Sequence, residues 1–103
     1  MNDDEIYEYL GQTFEWNRSK ARRNLLDHKN VSFESAASVF MDPNSIQFPD
    51  DKEFDDELRD VLIGFSESGM MLRVSFTYRP PNLRIFSARV ADKYDETRYE
   101  NGY

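Results

Sequence analysis

The chain has 103 residues, the length of one domain with one hydrophobic core, so we expect a single domain over residues 1–103. Its formal net charge is -7, and 15% of its residues are aromatic, too many for a disordered acidic tail. The absence of cysteine excludes disulfides, thiolate nucleophiles and cysteine-bound zinc, and one histidine cannot hold a metal alone, so neither a metal nor a cofactor is expected.

The N-terminal segment, residues 1–13, carries little structural signal. Its first residues are acidic where a signal peptide is basic, and no apolar stretch reaches the ~20 residues of a membrane span. We therefore expect a cytoplasmic protein without a membrane contact. Because no clean hydrophobic period is present, residues 1–13 are predicted to be a flexible lead-in, with at most one helical turn around Ile6, Tyr9 and Leu10.

Residues 14–48 predict two short strands that flank two helices. Phe14-Glu15-Trp16 alternates apolar and polar residues as a strand does, and Asn17 is a suitable N-cap for an amphipathic helix that begins at Arg18. A second helix follows Ser32, because apolar residues recur there at helical spacing, and it stops before Pro43. The members of that apolar set are Phe33, Ala36, Ala37 and Phe40. The second strand is Ile46-Gln47-Phe48.

The second half of the chain predicts a sheet followed by a helix. The segment PDDKEFDDE, residues 49–57, is typical of a solvated acidic loop. Three strand signals follow, with short polar or proline-rich connections that predict an antiparallel meander with one polar face. They are Arg59 to Phe65, Met70 to Tyr78 and Leu83 to Val90. A helix over Asp92 to Glu100 completes an α+β domain.

The basic residues are concentrated in two segments of this acidic chain. Residues 18–29 hold five cations against one acid, and residues 68–91 hold four arginines and no acid. If the fold joins these segments, they form a cationic patch of the kind that binds an anion or a nucleic acid. The alternative is that each arginine lies at a sheet edge or pairs with the acidic loop.

Five segments, in their order along the chain, carry a family resemblance. They are FEWNRSKARRN, VSFESAASVFMDP, LIGFSESG, VSFTYR and RIFSARVA. Together they resemble the BrnT toxins of bacterial type II toxin-antitoxin systems, which are ribonucleases of the RelE-like superfamily. The resemblance implies a RelE-like fold, with an antiparallel sheet, two N-terminal helices packed on one side and a short C-terminal helix.

The same resemblance implies a function and partners. It implies a metal-independent endoribonuclease toxin that is neutralised by a cognate ribbon-helix-helix antitoxin, in a hetero-oligomer that contacts DNA only through the antitoxin. The chain departs from the family in its last segment, DKYDETRYE, where only Lys93 and Arg98 are basic, and at Lys29-Asn30, which replaces a glycine and adds one residue. A non-catalytic interaction module, acting as antitoxin partner or co-repressor, is therefore the alternative.

Metal-independent RNA cleavage through the 2′-hydroxyl needs a cation that stabilises charge on the phosphorane, and arginine suits that task. Arg59, Arg79 and Arg89 match arginines of the family's strand motifs and are the catalytic candidates. Antiparallel order predicts that Arg59 and Arg79 converge. Arg89 is expected near Arg59 only if the strand order is not sequential. Pairing of these arginines with the acidic loop is the structural alternative.

His28 is the only imidazole and hence the candidate general acid, although its place at a helix end already accounts for it structurally. Lys20 and Tyr99 match family residues on the first and last helices; Tyr99 can stack on a base or simply pack. Hydroxyls beside the arginines can donate to phosphate. The full set of RNA-binding candidates is Lys20, Thr77, Arg84, Ser87 and Tyr99.

Overall fold

The computed structural model describes residues 3–50 and 57–103, and in these ranges it contains six strands and three helices. Residues 51–56 of the predicted acidic loop lie outside the described residues. In chain order the elements are β1 (Asp4–Tyr9), β2 (Gln12–Asn17), α1 (Arg18–Asp27), α2 (Phe33–Val39), β3 (Ile46–Pro49), β4 (Asp60–Phe65), β5 (Met71–Arg79), β6 (Asn82–Val90) and α3 (Lys93–Asn101).

The six strands form one mixed sheet in the order β1-β2-β6-β5-β4-β3. The predicted α+β class and the antiparallel meander of β4, β5 and β6 are confirmed. The fully antiparallel sheet is wrong at one place, because β2 and β6 run parallel through Phe14↔Leu83 and Glu15↔Arg84. The two helices are also not N-terminal, since the hairpin of β1 and β2 precedes them.

The flexible lead-in is wrong: residues Asp4–Tyr9 form β1, an edge strand paired with β2. Leu10 and Gly11 both have positive φ, 48° and 87°, as in the two-residue turns that match the twist of a hairpin. Tyr7 and Tyr9 pack against the main core while Ile6 is 63% exposed. The alternation of β1 is difficult to recognise in the sequence, because the residues that pack are tyrosines and the aliphatic residue Ile6 is exposed.

The predicted helix starts are confirmed by their caps. The side chain of Asn17 accepts from the Lys20 N–H at 3.0 Å, and the side chain of Ser32 accepts from the Ser35 N–H at 3.0 Å. α3 begins with a capping box between Asp92 and Asp95, in which each side chain accepts from the other residue's N–H. The start of each helix is therefore determined by residues within one helical turn of it.

Helices cover both faces of the sheet. α1 and α2 lie on one face over the main core, to which Phe14, Trp16 and Phe76 contribute. α3 lies on the other face, where Tyr99 packs against a smaller cluster that includes Ile63. Alternation along β4 explains the division, since neighbouring strand residues point to opposite faces. In the described ranges no helix is long and apolar enough to span a membrane.

Asn24 on α1 substitutes for a strand beside the C-terminal half of β6. Its side-chain amide donates to the Ala88 carbonyl at 2.8 Å and accepts from the Ala88 N–H at 3.1 Å, as a neighbouring strand does. The same nitrogen donates to the Val31 carbonyl at 2.9 Å. Because Asn24 is buried, these contacts satisfy backbone groups that water does not reach, and they hold the end of α1 against β6.

We expect Asn24→Ala to lower the free energy of unfolding by about 2–4 kcal/mol, because it leaves buried backbone groups of Ala88 without partners. Urea unfolding followed by Trp16 fluorescence measures the loss. Leu26→Ala on the same helix is the control, and since Leu26 is 85% exposed its effect should stay within about 0.5 kcal/mol. Equal unfolding free energies for the two variants would contradict the role assigned to Asn24.

Candidate active site

A cavity of about 290 Å³ opens on the α3 face of the sheet. We call it the arginine cavity, because three guanidinium groups line it. Its walls come from the end of α1, the β3–β4 connection and the three strands β4, β5 and β6. The lining residues are His28, Asp50, Arg59, Val61, Arg73, Ser75, Ser87, Ala88 and Arg89.

Strand register brings the arginines together. Arg73 and Ser75 on β5 lie directly opposite Arg89 and Ser87 on β6, and Arg59 immediately precedes β4 on the other side of β5. We expected Arg89 near Arg59 only if the strand order is not sequential, and this expectation is wrong. The strands β4, β5 and β6 are neighbours in sequential order, and Arg59 and Arg89 still line one cavity. Two strand spacings, about 10 Å, are within the combined reach of two arginine side chains.

His28 reaches this cavity from the end of α1. Its backbone N–H donates to the Asn24 carbonyl at 2.9 Å, so it occupies the helix end as the sequence predicts. His28 also lines the arginine cavity. The structural and the catalytic interpretations of His28 are thus compatible, and its catalytic role stays a prediction. On the opposite wall, the Asp50 N–H donates to the Arg59 carbonyl at 2.9 Å, which extends the β3–β4 pairing and sets these two residues side by side.

A buried carboxylate, missed by the sequence analysis, orients two of the arginines. Asp95 is 0% exposed; one of its oxygens accepts from Arg73 Nη1 at 2.8 Å, and the other lies 3.0 Å from Arg89 Nη1. The arginine side chains remain 24% and 36% exposed, so their other N–H groups can meet a ligand. One buried negative charge is shared between two positive charges, and Asp92, 3.6 Å from Arg89, supplies a second negative charge.

Phe86, also missed, connects Lys20 with the arginine cavity. The register passes from Ser75↔Ser87 to Phe76↔Ile85, so Phe86 is an extra residue in β6. The Arg59 guanidinium lies 3.7 Å from the centre of its ring, and Lys20 Nζ lies 5.6 Å from that centre. These cation–π contacts place both side chains beside one aromatic ring. Lys20 is therefore a neighbour of the arginine cavity, as the RNA-binding prediction requires.

Arg79 and Arg84 lie outside the arginine cavity, in a network with three carboxylates. Arg84 Nη1 contacts Glu15 at 2.8 Å and Asp4 at 3.1 Å, and Arg79 contacts Glu57 and Glu15. The hydrogen bond from Arg79, with the charges of Arg79, Arg59 and Arg84, holds the pKa of Glu57 below its usual range. Arg59 and Arg79 thus both lower the pKa of Glu57. Arg79 and Arg84, however, fit the structural alternative, in which an arginine is paired with carboxylates.

Two further candidates are engaged in structural contacts. The Thr77 hydroxyl donates to the Leu58 carbonyl at 2.7 Å. The Tyr99 hydroxyl donates to Asp42 at 2.8 Å, and its ring meets the Phe65 ring edge to face. Neither residue lines the arginine cavity, whereas Ser87 does. The RNA-binding roles given to Thr77 and Tyr99 have no support from their positions.

The residues that the sequence analysis missed share one property: their importance depends on contacts with residues that are distant in the sequence. Alternation already put Arg73 on the polar face of β5, but only the pairing with Arg89 shows that it belongs to the cavity. Asp95 reads from the sequence as a residue of the helix cap. The pair of bulky residues Ile85-Phe86 interrupts the alternation of β6 and was the available sign of the bulge.

The fold and the cavity define a small α+β protein with three guanidinium groups around one cavity. Residues 16–95 match the family model described as the ribonuclease toxin BrnT of type II toxin-antitoxin systems, so the chain belongs to the BrnT family. This confirms the resemblance drawn from the five segments. No curated protein matches the chain. The protein is thus a ribonuclease toxin of a type II system, with an RNA substrate and a cognate antitoxin.

The contact of Tyr99 with Asp42 gives a pH-dependent prediction. Burial alone would raise the pKa of Asp42, but hydrogen bonds from the Phe65 N–H, the Asn44 N–H and Tyr99 hold it below its usual value. Burial and the Asp42 carboxylate raise the pKa of Tyr99. A depressed carboxyl pKa adds stability above the unfolded value, near 4, and this stability is lost as the pH falls through the folded value.

We expect Tyr99→Phe to lower the free energy of unfolding by about 1 kcal/mol at pH 7, because the hydrogen bond to ionised Asp42 is lost. The difference from the wild type should shrink at pH 3, and RNA cleavage should change less than about twofold. Urea unfolding at the two pH values measures this. Tyr94→Phe on the same helix, at a 62% exposed side chain, is the control. A cleavage loss without a stability loss would instead support the RNA-binding prediction for Tyr99.

Proposed function

We propose that the protein cleaves RNA in the arginine cavity without a metal, by attack of a ribose 2′-oxygen on the adjoining phosphorus. The O2′–P bond forms and the P–O5′ bond breaks, which leaves a 2′,3′-cyclic phosphate and a 5′-hydroxyl. The observation that supports this is the presence of Arg59, Arg73, Arg89 and the only histidine of the chain around one cavity. These groups supply the two needs of the reaction, charge stabilisation and proton transfer.

The arginines bind the phosphate and stabilise the phosphorane. A guanidinium fork matches two phosphate oxygens and stays charged at all working pH values. The Ser75 hydroxyl oxygen is buried and has no hydrogen-bond partner among the described residues, so it is available to donate to a phosphate oxygen. Ser87, directly opposite on β6, offers a second hydroxyl to the same space.

Proton transfer falls to His28 and Asp50. Asp95 is unsuited to it, because both its oxygens are held by arginines and the residue is fully buried. Asp50 and His28 are the other titratable groups, apart from the arginines, that line the cavity. The Asp50 carboxylate accepts the proton of the 2′-hydroxyl, and the His28 imidazolium gives a proton to the leaving 5′-oxygen. Lys20, beside Phe86, holds a phosphate next to the one that is cleaved.

The alternative of a non-catalytic module rests on the acid-rich last helix. In the structure, two of its carboxylates belong to the cavity's support: Asp95 orients Arg73 and Arg89, and Asp92 lies 3.6 Å from Arg89. The three cavity arginines come from the sheet and from the residue before β4, so the acids of α3 take the place of none of them. This observation favours the enzyme.

For the partner, we propose a ribbon-helix-helix antitoxin that supplies all contact with DNA in a cytoplasmic hetero-oligomer. The charge of the chain supports this division. A body with a net charge of -7 repels the DNA backbone. Contact with DNA then requires a basic partner.

The products of cleavage test the proposed chemistry. We expect purified protein to give 2′,3′-cyclic phosphate ends from free RNA in the presence of EDTA. His28→Gln should be slower, because glutamine cannot give a proton to the leaving 5′-oxygen. Arg89→Ala should lower the rate at least about 100-fold, whereas Arg79→Ala, a matched loss outside the cavity, should lower it less than about fivefold. Products with 3′-hydroxyl ends would rule out the mechanism.

Asp95 is expected to act as a positioning residue. Asp95→Asn keeps the size of the side chain and one acceptor oxygen, so the helix cap should largely persist while the charge that orients the arginines is lost. We expect kcat to fall about 10- to 100-fold with little change in KM, because phosphorane stabilisation depends on arginine placement. Glu96→Gln is the control, since it removes one negative charge from an exposed position of the same helix. A purely structural role would show equal rates once the folded fraction, measured by circular dichroism, is taken into account.

A further inference from the structure

A second cavity, of about 320 Å³, adjoins the arginine cavity and shares His28 and Arg89 with it. We propose that this second cavity binds the nucleoside next to the cleaved phosphate, and that Asp27 and Lys29 select its base. The proposal rests on the proposed RNA cleavage at Arg89 and extends it to substrate choice. The lining residues are Asp27, His28, Lys29, Arg89, Val90, Ala91 and Asp92.

Continuity with the arginine cavity is the first support. Every internal phosphate of an RNA carries a nucleoside on each side, so a phosphate held by Arg89 places one of them beside any cavity that Arg89 also lines. The volume of about 320 Å³ lies at the lower end of the range of small-molecule pockets, which suits one nucleoside unit. His28, on the shared wall, would then lie between the base and the reacting phosphate.

The chemistry of the walls is the second support. Val90, 40% exposed, and Ala91 offer an apolar surface to the flat side of a base or to a ribose. Asp27 forms an exposed ion pair with Arg23 through Oδ2, at 3.5 Å, and its other oxygen, Oδ1, supplies a hydrogen-bond acceptor. Lys29 supplies a donor, and base edges are distinguished by their patterns of donors and acceptors. Asp92 is already committed to the cap of α3 and to Arg89, so it is not assigned a role in base selection.

The backbone at Lys29 is the third support. Lys29 and Asn30 both have positive φ, 53° and 65°, where glycine is the usual choice. The Asn30 N–H donates to the Leu25 carbonyl at 2.9 Å, and the Val31 N–H donates to the His28 carbonyl at 3.1 Å, which fix this turn. Lys29 lines the second cavity in a conformation that usually belongs to glycine, so the chain carries a lysine at a position where glycine would have no side chain.

DNA oligonucleotides with a single ribonucleotide test the proposal, since only the phosphate after that ribonucleotide is cleavable. The base of the ribonucleotide and the base on its 3′ side are each varied over all four types. We expect rates to differ about 5- to 50-fold with the base at one of these positions. Lys29→Gly, which keeps the turn, and Asp27→Asn should each shrink that spread to about twofold.

Two controls separate this proposal from the proposed function. Lys93→Ser and Glu96→Gln remove one charge of each sign from exposed positions of α3 and should keep the base preference of the wild type. Arg73→Lys should lower all rates in parallel. If Arg73→Lys slows cleavage but the base preference is absent, or persists in Lys29→Gly and Asp27→Asn, the nucleoside subsite is refuted and the proposed function stands. If Arg73→Lys leaves every rate unchanged, the cleavage site itself is misplaced and both proposals fail.

Discussion

The buried carboxylate of Asp95 is the contact on which the rest of the candidate site depends. A fully buried charge must be paired, and breaking such a pair by removing one partner costs roughly 3–5 kcal/mol. Asp95 meets this requirement with Arg73 and Arg89, and its Oδ2 also accepts from the Asp92 N–H at the start of α3. The helix start and two arginine conformations are therefore fixed together when the chain folds. Arginines held in this way need little reorganisation when a phosphate arrives.

This arrangement explains how a chain with a net charge of -7 can act on RNA. The polar face of the sheet contains two groups of arginines that differ in their neutralisation. Arg79 and Arg84 meet three carboxylates, whereas Arg59, Arg73 and Arg89 share the cavity with Asp50, while Asp95 contacts Arg73 and Arg89 and Asp92 contacts Arg89. The first group has more carboxylates than arginines, whereas the second has three of each. We therefore expect a phosphate to bind at the second group, at the junction of β4, β5 and β6.

Local patterns in the sequence were sufficient for most elements but not for the site. Caps at Asn17 and Ser32 and the alternation of β5 identified helices and strands, because these signals act over a few residues. The pairing of Arg73 with Arg89 depends on register across a turn, and that of Asp95 with both depends on where α3 packs. Contacts between residues that are distant in the sequence produce no periodic pattern in the sequence. For the same reason the parallel contact of β2 with β6, and the function of Asn24 at its edge, were not foreseen.

The acid-rich last helix affects the two stages of RNA binding differently. Long-range attraction depends on the total charge and is screened over about 8–10 Å at physiological salt, so the acids of α3 weaken the approach of RNA. The grip on a bound phosphate depends on guanidinium groups at hydrogen-bond distance, and there Asp95 acts by orienting them. Under the proposed mechanism, a chain of this kind gives up association rate and keeps transition-state stabilisation. The departure of α3 from the basic family pattern therefore bears on the rate of encounter with RNA more than on the chemistry in the cavity.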